Sequence, residues 1–145
     1  MQKIAFILAV IFLFAFSCEE KKVDKPQIFE VITIGKGDLN GTQNIPKQNL
    51  VITNQTEWTD LLNVMETVSN ITETNVDFTR FHIIAVFDEV KGNGGHSIDI
   101  TEVVEAEDSI NVKVENLKTG DATLIITQPY HIVKFTKSSK PVVFI

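Results

Sequence analysis

The stretch Phe81–Phe87 is apolar at every position except His82. Side chains of a strand alternate between the two faces of a sheet, so a run apolar on both phases predicts a central strand covered on both sides. A fold built around such a strand needs a layer against each of its faces. The rest of the chain supplies candidates. Ile98, Ile100, Val104 and Ala106 keep one phase while Asp99, Thr101 and Glu105 take the other, which predicts a half-exposed strand. Glu107, Asp108 and Ser109 make a turn into Ile110, Val112 and Val114, which alternate with Asn111, Lys113 and Glu115, giving an antiparallel hairpin. Thr119, Gly120 and Asp121 break the chain before a β-like run at 124–127. Pro129 precedes a strand over 130–135, and residues 142–145 close the chain.

Upstream, residues 28–34 are dense in β-branched side chains and predict a first strand, with Gly35, Lys36, Gly37 and Asp38 breaking it. A polar loop over 40–49 leads to a short strand at 50–52. Asn54 with Glu57 three residues on has the form of a helix start. Trp58, Leu61, Leu62 and Met65 fall at i, i+3, i+4 and i+7 on one face, opposite Asp60, Asn63 and Glu66. Trp58 is therefore a core anchor. The expected fold is α+β: a mainly antiparallel, curled β-sheet or small β-sandwich with one principal α-helix.

The N-terminus reads differently. Met1, Gln2 and Lys3 precede thirteen unbroken apolar residues, 4–16, then Ser17 and the only cysteine, Cys18. Spanning ~30 Å of hydrocarbon takes ~20 apolar residues, so the run is read as the core of an export signal. Residues 14–18 resemble a lipobox, although Phe14 and Phe16 depart from its usual residues. The resemblance implies cleavage between Ser17 and Cys18 and a diacylglycerol thioether on Cys18. Such a lipid holds a domain stably at a membrane. Residues 1–17 are then a signal peptide, 18–27 a lipidated tether and 28–145 the domain. The acidic start of the tether, Glu19 and Glu20, resembles the export signals of surface lipoproteins in the Bacteroidota. It points to the outer membrane of a Gram-negative envelope and to its outer face.

From Trp58 onward the order of motifs resembles the C-terminal domain of the protease complex subunit PrcB family. The carriers are Glu57, Trp58 and Leu61; Val76, Asp77, Phe78 and Thr79; Gly94, Gly95, His96, Ser97 and Ile98; and Gln128, Pro129, Tyr130, His131, Ile132 and Val133. The family often has Tyr where this chain has His96. The resemblance implies an accessory, non-catalytic lipoprotein, and the family's name comes from association with a cell-surface protease complex.

Composition and motif spacing set other functions aside. Thirteen basic residues are scattered among nineteen acidic ones, a net charge of −6, and loss of Lys3 with the signal makes it one unit more negative. Nucleic acid is not an expected partner, since binding it relies on clustered cations. One cysteine allows no intramolecular disulfide. His82, His96 and His131 are too far apart in sequence for a helical metal pair, so no metal or other cofactor is expected. The glycines at 92, 94 and 95 lie between strands without a following helix or a Lys-Ser/Thr pair, which favours a turn over a phosphate cradle. No Gly-x-Ser-x-Gly elbow is present. A carboxylate pair such as Asp77 with Asp88 could act as acid and base.

The expectation is a lipid-tethered accessory or protein-binding module rather than an enzyme. Its contact surface is placed at Gly94, Gly95 and His96 together with Gln128, Pro129 and Tyr130, and a surface protease is the kind of partner the resemblance suggests. Capture of a small ligand or glycan is the alternative, with a small enzyme behind it. Asp108, Ser109 and Ile110 match a short O-glycosylation pattern of exported Bacteroidota proteins, which makes Ser109 a candidate modification site.

Overall fold

The computed structural model describes residues 26–66 and 70–145. Ser17, Cys18 and the tether up to residue 25 lie outside them. Among the described residues eight strands and one helix follow the order β1 (Gln27–Ile28), β2 (Ile32–Leu39), β3 (Gln48–Ile52), α1 (Gln55–Met65), β4 (Phe81–Phe87), β5 (Asp99–Glu105), β6 (Ile110–Glu115), β7 (Gln128–Thr136) and β8 (Val142–Phe144). They form two four-stranded sheets, β2-β7-β4-β3 and β1-β5-β6-β8. Every pairing is antiparallel except β6 with β8. This is the expected α+β architecture in its sandwich form. No helix among the described residues is long and apolar enough to cross a membrane.

The doubly apolar strand explains the layering. β4 is flanked by β7 and β3, and its two faces feed two separate cores. Ile83, Ala85 and Phe87 meet Trp58, Leu61, Met65, Tyr130 and Ile132 beneath α1. Ile84 and Val86 point the other way, to Ile98, Ile100, Val103, Ile110, Val112, Val133 and Phe135 of the sandwich. The helix is thus a third layer on the outside of the first sheet. Its start is capped as expected: Asn54 Oδ1 accepts from the Glu57 N–H at 3.0 Å. Glu57 reaches back to the Thr53 N–H at 2.9 Å, one residue beyond the usual partner of a capping box.

Four local features differ from expectation. The first strand is split. β1 ends at Ile28, and the chain passes from one sheet to the other before β2 starts at Ile32. Gly35, Lys36, Gly37 and Asp38 do not break β2 but lie inside it, opposite Ile132, His131, Tyr130 and Pro129. Gly35 is there for close approach, since a Cβ at this position would collide with the Ile71 side chain bridging to it. In β5 a bulge between Ile100 and Glu102 reverses the alternation. Val103 is buried in place of Val104, and Asp99, expected to face solvent, is buried as well. The run at 124–127 forms no named strand; β7 begins only at Gln128.

Candidate functional site

The expected contact residues gather at one end of the sandwich, where the β4–β5 and β6–β7 connections run side by side. Main-chain bonds lace them into an irregular ladder. Lys91 and Thr127 exchange N–H···O bonds at 2.7 and 3.1 Å, Asp121 N–H donates to Gly94 O at 2.8 Å, Gly120 N–H to Gly95 O at 3.1 Å, and Ser97 N–H to Lys118 O at 3.2 Å. Side chains tighten it: Asn93 Nδ2 donates to Asp121 O at 2.8 Å, and Thr127 Oγ1 to Asn93 O at 2.9 Å. His96 Nε2 lies 3.0 Å from Asn93 Oδ1. Gly95 has φ +72°, and a Cβ there would strike the Asp121 side chain, so both backbone hand and space require glycine.

A buried carboxylate holds the base of this end. Asp88 is 1% exposed and is paired with Lys47 at 2.9 Å and Lys91 at 3.3 Å. It also accepts from the Glu89 N–H at 2.9 Å and from Asn116 Nδ2 at 2.9 Å. Burial alone would raise its pKa, but Lys47, the Glu89 N–H and Lys91 overcome this and hold it below the usual carboxylate range. Gln128 lies behind it, fully buried, its Nε2 donating to Ile45 O at 2.7 Å and Asp88 O at 3.0 Å. Asp77 does not join Asp88. The two flank the seven-residue β4, a rise of roughly 23 Å, well beyond the separation of an acid and base pair. Asp77 is instead spent on its own turn, accepting from the Thr79 N–H and hydroxyl at 3.0 and 2.5 Å.

The six candidate contact residues divide. Gly94, Gln128, Pro129 and Tyr130 are buried, whereas Gly95 is exposed and His96 half-buried. Pro129, Tyr130 and His96 still share a recess of about 200 Å³ with Lys36, Asp38 and Lys118. The Tyr130 hydroxyl is buried beside the Asn70 amide without a hydrogen bond of standard geometry. Burial pushes its pKa up, Asn70 opposes the rise and Asp38 adds to it. Desolvation likewise raises Asp38 against the pull of His96 and Lys118.

The two connections also carry what sequence reasoning missed. Leu124 is 94% exposed, Ile125 61% and Ile126 59%, with Leu117 and Val90 also open to solvent. A β-branched run is the signal in the sequence, and it predicts a strand, not an exposed apolar rim. Large apolar side chains grouped this way mark contact surfaces more often than scattered ones do.

The remaining candidates have local roles. His131 Nδ1 accepts from the Ile100 N–H at 2.9 Å, and its Nε2 lies 3.1 Å from Thr33 Oγ1. It therefore joins the two sheets as a neutral imidazole. Burial pushes its pKa down to about 4, with Lys36 assisting and Asp99 opposing. Asp99 itself holds Lys36 in an ion pair and accepts from Ser97 Oγ at 2.5 Å. His82 sits half-buried, edge-on to Phe135. Ser109 lies half-buried in the β5–β6 turn, its hydroxyl donating to Asn111 Oδ1 at 3.0 Å. Among the described residues no group of three or more His, Cys, Asp or Glu side chains is arranged to hold a metal ion. No protein-family model, curated protein or solved structure matches the chain.

Proposed function

We propose that this chain is a non-catalytic, lipid-anchored binding module of the bacterial cell envelope, which presents the 92–97 and 117–126 connections to a protein partner. The observation that carries the reading is polarity along the strands. Gln27 and Ile28 pair with Glu105 and Val104 at the finish of β5, while His96 and the apolar rim lie beyond its start at Asp99. The two ends are separated by the length of β5, roughly 23 Å. A lipid on Cys18 would therefore tether one end and leave the other facing away from the bilayer. The eight peptide steps from Cys18 to Pro26 reach at most about 28 Å, so turning the rim onto the membrane would take a fully stretched tether laid along the domain. A laced, preorganised loop pair also loses little entropy on docking. The likeness to the PrcB C-terminal domain agrees with an accessory role and makes a secreted or surface protease the partner class to try first.

The test uses the full chain in the envelope, with a photo-crosslinking residue at Ile125 or at Ile28. Polypeptide adducts at Ile125 and none at Ile28 are expected. Phospholipid adducts at Ile125, or the reverse pattern, would sink the reading. In parallel, Cys18→Ala should abolish labelling by a fatty-acid probe, and unchanged labelling would dismiss the anchor. A second reading, capture of a small polar ligand or glycan, is favoured by the buried Tyr130 hydroxyl in its recess. It requires a compound that raises the unfolding temperature of the native chain and loses that effect in Tyr130→Phe.

A further inference from the structure

The sheet β2-β7-β4-β3 has two edges, and the described residues cover only one. At β2, Ile71 bridges to Gly35 and the Thr72 N–H donates to Ile34 O at 2.8 Å. β3 pairs with β4 on one side, and among the described residues Gln48–Ile52 makes no main-chain hydrogen bond on the other. A free row of N–H and C=O groups is a template for another strand, and proteins usually guard it with a bulge, an inward charge or proline. Within Gln48–Ile52 there is none of these.

Beside that edge lies a cavity of about 450 Å³ between β3 and α1. Ile45, Leu50, Leu61 and Val64 give it an apolar lining, and Glu57 and Asp60 stand on its rim. Val64 is 51% exposed although it is a large apolar residue on a helix. Glu57 is occupied by the Thr53 N–H, whereas Asp60 forms no ion pair among the described residues. An open strand edge beside an apolar cleft under a helix is the arrangement in which main-chain bonding gives affinity and alternate side chains give selectivity.

We infer that β3 and α1 accept an extended segment of a partner polypeptide as an added strand of this sheet, with an apolar side chain seated in the cleft and a Lys or Arg two residues away, on the same face, meeting Asp60. The five residues of β3 offer about 17 Å of edge, room for a segment of four or five residues. A second copy of the chain is the poorer occupant. Its own exposed apolar segment at 124–126 is flanked by Asp121, Ala122, Thr123, Thr127 and Gln128, with no cation to meet the acidic rim. The site is separate from the apolar rim at 117–126, so either surface can stand if the other fails.

The probe is the acetylated, amidated peptide Thr-Lys-Thr-Val-Thr-Leu, whose Lys, Val and Leu share one face of a strand, titrated into the isotope-labelled full chain in detergent. Amide shifts are expected in β3 and along α1. Replacing the peptide's Lys with Glu should weaken binding about threefold to tenfold, since an exposed attraction is lost and a repulsion of similar size takes its place. N-methylation of its alternate amides should abolish binding. Val64→Glu should abolish it too, and Asp60→Lys should reverse the Lys-over-Glu preference, in both cases with an unfolding temperature close to that of the parent chain. Shifts confined elsewhere, or equal binding of the N-methylated peptide, would overturn the inference. So would self-association of the parent chain that Val64→Glu dissolves, because the occupant would then be a second copy.

Discussion

Along the β2 edge of the first sheet the chain closes its own hydrogen bonds, and along the β3 edge the described residues leave them open. The covered edge is built from small details. Gly35 lets Ile71 come close, Thr72 bonds to Ile34 through its N–H and, at 3.3 Å, through its hydroxyl, and Glu73 pairs with Lys134 of the adjacent strand. The same half of the sheet is pinned to the sandwich by His131, which reaches Thr33 on one side and the Ile100 N–H on the other. The open edge instead has a helix standing off from it over an apolar cleft. One sheet thus carries a finished side and an available side. The difference teaches that the free edge is a property of what packs next to a strand, not of the strand's own residues.

The largest expected effect comes from removing the wall of the open side. Trp58 is fully buried under α1 in contact with the core cluster on that face. Trp58→Ala should cost about 3–5 kcal/mol, measured by urea unfolding, as expected for deleting a large buried aromatic. Peptide binding at β3 should vanish with it. If Trp58→Ala keeps full stability, α1 is not held by its apolar face, and the open edge is not framed as described.

Next comes acid, which acts on the finished side. His131 is about 4 when folded and 6.5 when free, so between these values the unfolded chain holds more protons than the native one. Stability is then full above pH 6.5 and falls as pH drops toward 4. The size of the loss is on the order of 3 kcal/mol. His82, also lowered by burial and then by Lys137, adds to the slope in the same direction. Below this window Asp88 and Asp99, both held low by their lysines against the effect of burial, start to lose their pairs. Urea midpoints that stay flat between pH 7 and 4.5 would contradict a neutral His131 bridging the sheets.

A smaller effect is expected at the cover itself. Ile71 is half-buried against the core, so Ile71→Ala should cost about 1–2 kcal/mol, less than a fully buried isoleucine. The sharper readout is local. Amide exchange in β2 should accelerate toward that of β3, while β3 stays as it was. Equal acceleration in both strands would mean global destabilisation and erase the contrast between the edges.

How much of this was readable in the residues follows from what each signal encodes. Helix α1 was legible from Asn54, Glu57 and the Trp58, Leu61, Met65 stripe, because caps and 3.6-residue periodicity are local. β4 was legible as doubly covered because both its phases are apolar. The phase of β5 was not, since one extra residue at the bulge exchanges Val104 for Val103 and no side chain announces it. Gly35 and Gly37 read as breakers because close approach of Ile71 and Asn70 is a long-range fact. The contact end was half legible. Its glycine loop and His96 are legible, but Gln128 and Tyr130 are buried, and the β-like run at 124–127 forms no strand. The open edge of β3 was invisible for the same reason: a sequence shows that a strand exists, not who its neighbours are.

The mildest change tests how the helix is hung over the open edge. Asn54 is the N-cap, and its loss leaves the Glu57 N–H without its side-chain acceptor. Asn54→Ala should therefore cost about 1 kcal/mol, and Asn54→Gly only a few tenths. The helix start has a second hold, however. Gln55 Nε2 donates to Thr74 O at 3.0 Å while its Oε1 accepts the Val76 N–H at 3.1 Å, tying the first turn to the segment that follows α1. With that clamp intact, Asn54→Ala should lower the urea midpoint yet leave the cleft able to bind the probe peptide. Gln55→Ala combined with Asn54→Ala should cost more than the two single changes together, because each bond limits the fraying that the other change allows. Strict additivity would show that the cap and the clamp hold the helix independently, so that the wall of the open edge is fixed residue by residue and not as a unit.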